Sequence, residues 1–355
     1  MGKSAPDRRK FLATASAAAV LPAVASAEEP NPMTGLIDCQ SHLFPPELIS
    51  LMEKRTTDPV VYTKDNIKWV RMGDWLRKVL PDHSDVEAKL KSMDKAGIRL
   101  TALSINDPGP EWFGDDGPRV ARLSNDYVAS VVRAHPTRFF GLCVLPLQDV
   151  PASLTELTRC VDKLGMKGIL LYTNLAGRFS DEPEFRPLFK RAAEIGLPIL
   201  LHPAKPITTD IVKTYEMTNF LGNMFDNTIA LTRIIMSGIL DEFPKLKLVC
   251  PHLGGTLPYI VGRLDHQTQV LKRGPKYLRK PPSEYLKQVW LDVVSPLPLA
   301  MRFGYDFMGP DRLLYASDHP WVDPLLIADG LRSLKLPATD ERKIFSGNAT
   351  KLFGL

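Results

Sequence analysis

Four short apolar runs in this chain each end in residues that bind divalent metals or move protons. They are Asp38-Cys39-Gln40-Ser41-His42, Leu200-Leu201-His202-Pro203, Val249-Cys250-Pro251-His252-Leu253-Gly254-Gly255 and Tyr315-Ala316-Ser317-Asp318-His319-Pro320. Side chains of a strand alternate with period two, so Asp38, Gln40 and His42 share one face. Two imidazoles from different strands together with carboxylates make an open divalent-metal site, with zinc as the first expectation and manganese as the alternative. A metal there polarises a substrate oxygen or lowers the pKa of a bound water, leaving a neighbouring histidine to move a proton. Packing alone explains the pattern poorly, because several ionisable groups buried together are costly unless paired or metal-bound.

These residues need a scaffold that brings strand ends to one place. From Gly35 onward, apolar runs alternate with helical patterns, as expected of βαβ units and a parallel sheet. Eight runs qualify as strands: Leu36 to His42, Leu100 to Ile105, Phe139 to Leu145, Gly168 to Tyr172, Pro198 to His202, Leu246 to His252, Val289 to Val294 and Leu313 to Ser317. Eight strands with intervening helices predict a (β/α)8 barrel, whose active site lies at the C-terminal ends of its strands. One helix has a start signal at Ser84-Asp85-Val86-Glu87, similar to a capping box, and a stop at Gly97.

Two connections, residues 45 to 83 and 205 to 227, are too long for simple barrel loops and are expected to build or cover the site. The first holds Arg71 between Trp69 and Trp75, where a guanidinium can meet a substrate carboxylate. His83, His135 and His266 lie away from strand ends and read as structural or solvated, while His319 is undecided between structure and function.

Residues 1 to 27 read differently. Arg8-Arg9-Lys10-Phe11-Leu12 precedes a mildly apolar run and an Ala25-Ser26-Ala27 end, the pattern of a twin-arginine signal peptide cleaved before Glu28. This predicts an exported, periplasmic protein with one domain over residues 28 to 355. The segment carries four cations against one anion, so its removal lowers the formal +5 to +2 and leaves no case for a nucleic-acid surface. No stretch reaches the roughly 18 to 20 apolar residues of a membrane span, so the mature form is expected off the membrane. The four cysteines (Cys39, Cys143, Cys160 and Cys250) fall largely in apolar runs and read as buried free thiols.

The segment His252-Leu253-Gly254-Gly255-Thr256-Leu257-Pro258-Tyr259-Ile260-Val261-Gly262-Arg263 and the closing Ser346-Gly347-Asn348-Ala349-Thr350-Lys351-Leu352-Phe353 resemble signatures of the amidohydrolase-related family. That family, part of the amidohydrolase superfamily, includes aminocarboxymuconate semialdehyde decarboxylase, resorcylate-type decarboxylases and some lactonases. The resemblance implies metal ligands at His42, His202 and Asp318 and an acid/base at His252, with Asp318 also shuttling a proton if the chain is a hydrolase. It also implies a substrate-carboxylate contact from Arg263 across a homodimer interface. The chain departs from the family at Gln40, where the His-x-His motif has its first histidine. Three arrangements follow: Gln40 ligates through its oxygen, the remaining groups hold the metal, or the site has lost it. The leading expectation is a carboxy-lyase acting on a small aromatic or unsaturated acid. The alternatives are a metal-dependent lactone or amide hydrolase, and a metal-free barrel that binds carboxylates.

Overall fold

The computed structural model describes residues 35–355, so the signal peptide expected over residues 1 to 27 lies outside the described residues. In chain order the strands are β1 (Leu36–Leu43), β2 (Val60–Lys64), β3 (Ile67–Met72), β4 (Trp75–Val79), β5 (Ile98–Ile105), β6 (Phe139–Cys143), β7 (Gly168–Tyr172), β8 (Ile199–His202), β9 (Leu248–Cys250), β10 (Trp290–Asp292) and β11 (Leu313–Leu314). Eight of them form one parallel sheet in the order β1-β5-β6-β7-β8-β9-β10-β11, which is the expected barrel. Between β11 and β1 the ring closes without a regular ladder. Cys39 N–H donates to Tyr315 O (3.0 Å), Asp318 N–H to Gln40 O (2.9 Å) and His42 N–H to His319 O (2.8 Å).

The barrel strands are apolar on both faces because the interior and the helical layer each need a covering surface. Ile37, Leu103, Ile169, Val249 and Leu313 are all buried, each burial stabilising the fold by about 1.5–3 kcal/mol. All four cysteines are buried and free, as expected. Among the described residues no helix is long and apolar enough to cross a membrane.

Both long connections carry structure that the sequence reading treated as loop. Residues 45 to 83 contain the helix Pro46–Glu53 and an antiparallel sheet of β2, β3 and β4. Residues 205 to 227 contain the helix Thr209–Val212, the helical turn Thr218–Gly222 and the start of the helix Asn223–Met236. Trp75 Nε1 donates to Asn219 Oδ1 (2.7 Å) and Lys213 Nζ pairs with Asp74 Oδ2 (2.8 Å), so the two insertions meet. The helix Val86–Ala96 is capped by Asp85, not Ser84, through Glu87 and Ala88 N–H groups, and it ends at Gly97 with φ 70°.

Candidate active site

The C-terminal strand ends converge as the (β/α)8 architecture requires. His42 on β1, His202 on β8 and Asp318 after β11 present ligand atoms all within 4.8 Å of one another. Asp318 Oδ1 lies 3.2 Å from His42 Nε2 and 3.7 Å from His202 Nε2, and Oδ2 lies 3.5 Å from His252 Nε2. Three imidazoles, from β1, the end of β8 and the turn after β9, therefore face one carboxylate.

The hydrogen bonds behind the two inner histidines fix which nitrogen is free. His202 Nδ1 is 2.7 Å from Pro203 O, a carbonyl that can only accept, so Nδ1 carries the proton. His42 Nδ1 is 2.7 Å from Ser104 Oγ, whose own proton is directed at Ser41 O (3.4 Å), so this Nδ1 donates as well. Both Nε2 atoms are left with lone pairs aimed into the site, buried and without a hydrogen-bond partner. Burial, and then the neighbouring His202, push His42 down to about 3, and burial also lowers His202, so both rings stay neutral. Burial opposes the Asp318 charge, but the surrounding His202, His252 and His42 rings outweigh it and hold the carboxyl well below its usual range. Two neutral imidazoles with unsatisfied lone pairs beside an ionised carboxylate fit a divalent cation.

Gln40 is buried in the same cluster, but its amide Nε2 donates to Asp318 Oδ1 (2.9 Å). In this orientation it steadies the carboxylate; ligation through the oxygen would require the amide to turn over.

His252 stands at the other side of Asp318. Its Nδ1 lies 3.2 Å from Asn227 Nδ2, while Asn227 Oδ1 has no partner. A half-turn of that amide would let the oxygen accept from a doubly protonated ring, so either charge state can be satisfied. Burial would lower the His252 pKa, but the Asp318 bond and charge, and then Asp292, raise it above the ordinary value. Its backbone is left-handed (φ 54°), with the N–H held by Asp292 Oδ1 (2.7 Å).

The glycines that follow explain the turn. A Cβ on Gly255 (φ 65°) would stand 2.5 Å from both Met224 O and Thr228 Oγ1. Replacing Gly255 with Ala is expected to destabilise the protein by roughly 2–4 kcal/mol through strain and overpacking, read as a lower Tm in thermal unfolding.

The cluster opens into a cavity of about 1010 Å³ walled by Trp69, Trp75, Phe220 and Trp321, with His202, His252 and Asp318 at its inner end. Arg77 on β4, absent from the sequence-based site, lines it. Its guanidinium lies 4.0 Å from the Trp321 ring centroid and pairs through Nη1 with buried Asp107. Burial lowers Arg77 to about 10, so it remains a cation.

Two expected substrate contacts are not brought to this cavity. Arg71 is engaged elsewhere, its Nε donating to Asp58 Oδ1 at 2.8 Å on the exposed side of the hairpin. Arg263 lies on the helix Leu257–Asp265 with an exposed side chain outside the cavity of its own chain. His83 is buried edge-on to Trp321 and His266 is exposed, whereas His319 contacts Lys89 (2.7 Å) behind the site.

The chain is similar to known proteins along nearly all of its described length. The amidohydrolase family model matches residues 37–355. The gamma-resorcylate decarboxylase of Polaromonas sp. is 30% identical over 325 residues, covering 86% of this chain and 98% of its own. The 2-amino-3-carboxymuconate-6-semialdehyde decarboxylase of Dictyostelium discoideum is 26% identical over 331 residues, covering 90% and 91%. A solved dihydroxybenzoic acid decarboxylase from Polaromonas sp., with bound manganese and the inhibitor 2-nitroresorcinol, superposes with a TM-score of 0.75 at 26% identity, covering 91% and 97%.

Proposed function

The chain belongs to the amidohydrolase family, and from that premise we propose that it is a metal-dependent decarboxylase of small aromatic or unsaturated carboxylic acids. The observation that carries this reading is the pair of buried, unpartnered Nε2 lone pairs on His42 and His202 facing the Asp318 carboxylate. His42, His202 and Asp318 would hold the ion, with Gln40 supporting the carboxylate. We favour manganese over zinc: one donor is a carboxylate, no thiolate takes part, and a solved relative carries manganese. When bound, the ion anchors substrate oxygens and stabilises negative charge developing on them.

The remaining steps belong to this chain's own side chains. The tryptophan walls exclude water and stack on a flat ring. His252, as its imidazolium, delivers a proton to the ring carbon bearing the carboxylate. The bond from that carbon to the carboxylate then breaks, its electron pair stays on the ring, and carbon dioxide leaves. A proton from solvent restores His252.

Arg77 offers the guanidinium N–H groups not engaged by Asp107 to an anionic substrate oxygen. Lysine keeps the charge against Asp107 but loses the planar fork. Arg77→Lys is therefore expected to raise KM by about 10-fold or more with kcat less affected. Steady-state kinetics check this, and an unchanged KM would remove Arg77 from substrate binding.

Arg263 acts, in this reading, on the partner's cavity within a homodimer. Tyr259, one turn earlier on the same helix, is exposed with Phe303 6.5 Å away, which supplies an apolar face beside it. The twin-arginine segment supports export to the periplasm, after folding and metal loading inside the cell.

The reading is tested by offering manganese-loaded protein a panel of hydroxybenzoates and lactones while following released carbon dioxide. Release from a hydroxybenzoate supports the decarboxylase. Lactone opening without carbon dioxide would replace it with a hydrolase, and no turnover would leave a binding protein.

A further inference from the structure

Two buried charged residues outside the reaction described above grip the segment that carries Asp318. Asp38, on β1 and 1% exposed, accepts the backbone N–H groups of Gln40 (3.1 Å) and Ser317 (2.9 Å) on Oδ1. Its Oδ2 accepts the Ser317 hydroxyl at 2.6 Å, and Ser317 Oγ accepts the His319 N–H at 3.1 Å. On the other flank Lys89, from the helix Val86–Ala96 and also 1% exposed, brings Nζ to 2.5 Å from Ser41 Oγ and 2.7 Å from His319 Nδ1. It also lies 3.4 Å from His319 O.

Asp318 needs such support. β11 ends at Leu314, so no regular ladder reaches the segment from Ser317 to His319. The Asp318 backbone is left-handed at φ 59°, a conformation that persists in a non-glycine residue only when its surroundings impose it. Of Ser317, Asp318 and His319, Asp318 is the one that lines the cavity. The flanking residues face away from the cavity, one onto Asp38 and the other onto Lys89.

Lys89 is also an expensive way to fill space. Burial pushes the Lys89 amine down to about 7 against the opposing charges of Asp38 and Asp318, and its hydrogen-bond partners among the described residues include no carboxylate. Methionine would occupy a similar volume without that penalty. What the amine adds is hydrogen bonding that ties β1 at Ser41 to the segment after β11 at His319.

We propose that Asp38 and Lys89 are positioning residues, a two-sided clamp that fixes the Asp318 carboxylate against His42 and His202. The proposal rests on the reading that these three groups hold the metal. Manganese affinity tests it directly, because groups that orient a metal ligand typically contribute about 10- to 100-fold to affinity.

Full-length wild type, Lys89→Met, Asp38→Asn and Ser317→Ala would be titrated with Mn²⁺ alone by electron paramagnetic resonance, with thermal unfolding recorded in parallel. Lys89→Met and Asp38→Asn are expected to raise the Mn²⁺ Kd by about 10- to 100-fold, and Ser317→Ala by several-fold. Lys89→Arg, whose N–H groups can still reach Ser41 Oγ and His319 O, is expected to recover part of the affinity. Variants with lower Tm and a Kd within twofold of wild type would show a purely structural role and overturn the clamp alone. Wild type that binds no Mn²⁺ would overturn the metal reading and the clamp together. If Lys89→Met fails to fold, Ser317→Ala decides, since it removes one hydroxyl and an unchanged Kd would refute the proposal.

Discussion

Replacing His252 with Gln is expected to lower kcat by about 10³-fold while leaving manganese content and KM nearly unchanged. Glutamine can occupy much of the same volume and hydrogen-bond to Asn227, but it cannot carry a transferable proton. The ring it replaces has one nitrogen 3.5 Å from Asp318 Oδ2 and the other beside Asn227. Asp292 holds the His252 backbone in place independently of the side chain, so the substitution should remove the acid without moving the turn. The pH dependence carries a sign. Because the step needs the imidazolium, kcat falls as pH rises through the His252 pKa of the manganese-loaded enzyme, where the cation offsets the Asp318 charge that raises that pKa in the metal-free site. The variant should lose this limb. Rates of carbon dioxide release and elemental analysis check the prediction. Loss of the metal along with the rate would make His252 a ligand, and an unaltered rate would end its role as the acid.

The barrel was largely legible because its strands need apolar residues on both faces. β7 matches its expected span, and the differences elsewhere have local causes. Pro198 and Pro251 have no N–H for a parallel ladder, so β8 begins at Ile199 and β9 stops at Cys250, short of His252. The hairpin in residues 45 to 83 was missed although it left a signal. Asp65 and Asn66, both with positive φ, form the two-residue turn between paired Lys64 and Ile67. The composition of the flanking strands, half-exposed and mixed in polarity, hid the alternation.

The four residues that meet at the barrel mouth were visible because His42 and His202 stand at the C-terminal ends of β1 and β8, and His252 and Asp318 follow within four residues of the ends of β9 and β11, where the fold gathers its loops. Residues that reach the site from insertions and helices were not. Arg77 lies beside Lys78 on the short strand β4, and nothing local indicates that its guanidinium is drawn inward by Asp107 and Trp321. Lys89 sits in a helix where lysine ordinarily means solvent; only tertiary packing shows it buried against β1. Arg71 failed for the opposite reason. Flanking tryptophans suggested a pocket, but Asp58, thirteen positions earlier, holds the guanidinium on the surface.

Asp318→Asn is expected to have the largest effect of any single substitution: loss of bound manganese and a fall in kcat of at least about 10⁴-fold. The His252 variant removes one proton donor, whereas this one removes the negative charge that His42, His202 and His252 all face. Asparagine preserves the shape, so Tm should change far less than metal content, which separates loss of charge from loss of fold. A second readout follows from electrostatics in protein stripped of metal. The Asp318 bond and charge are the leading causes that raise His252 against burial, with Asp292 contributing less. Neutralising Asp318 leaves burial opposed by Asp292 alone, so the His252 pKa must fall, measurable by nuclear magnetic resonance titration of the imidazole proton. Metal loss with a lowered His252 pKa would identify one carboxylate serving both the ion and the acid. Retention of stoichiometric manganese would remove Asp318 from the ligand set, and an unmoved His252 titration would break the link between the two halves of the site.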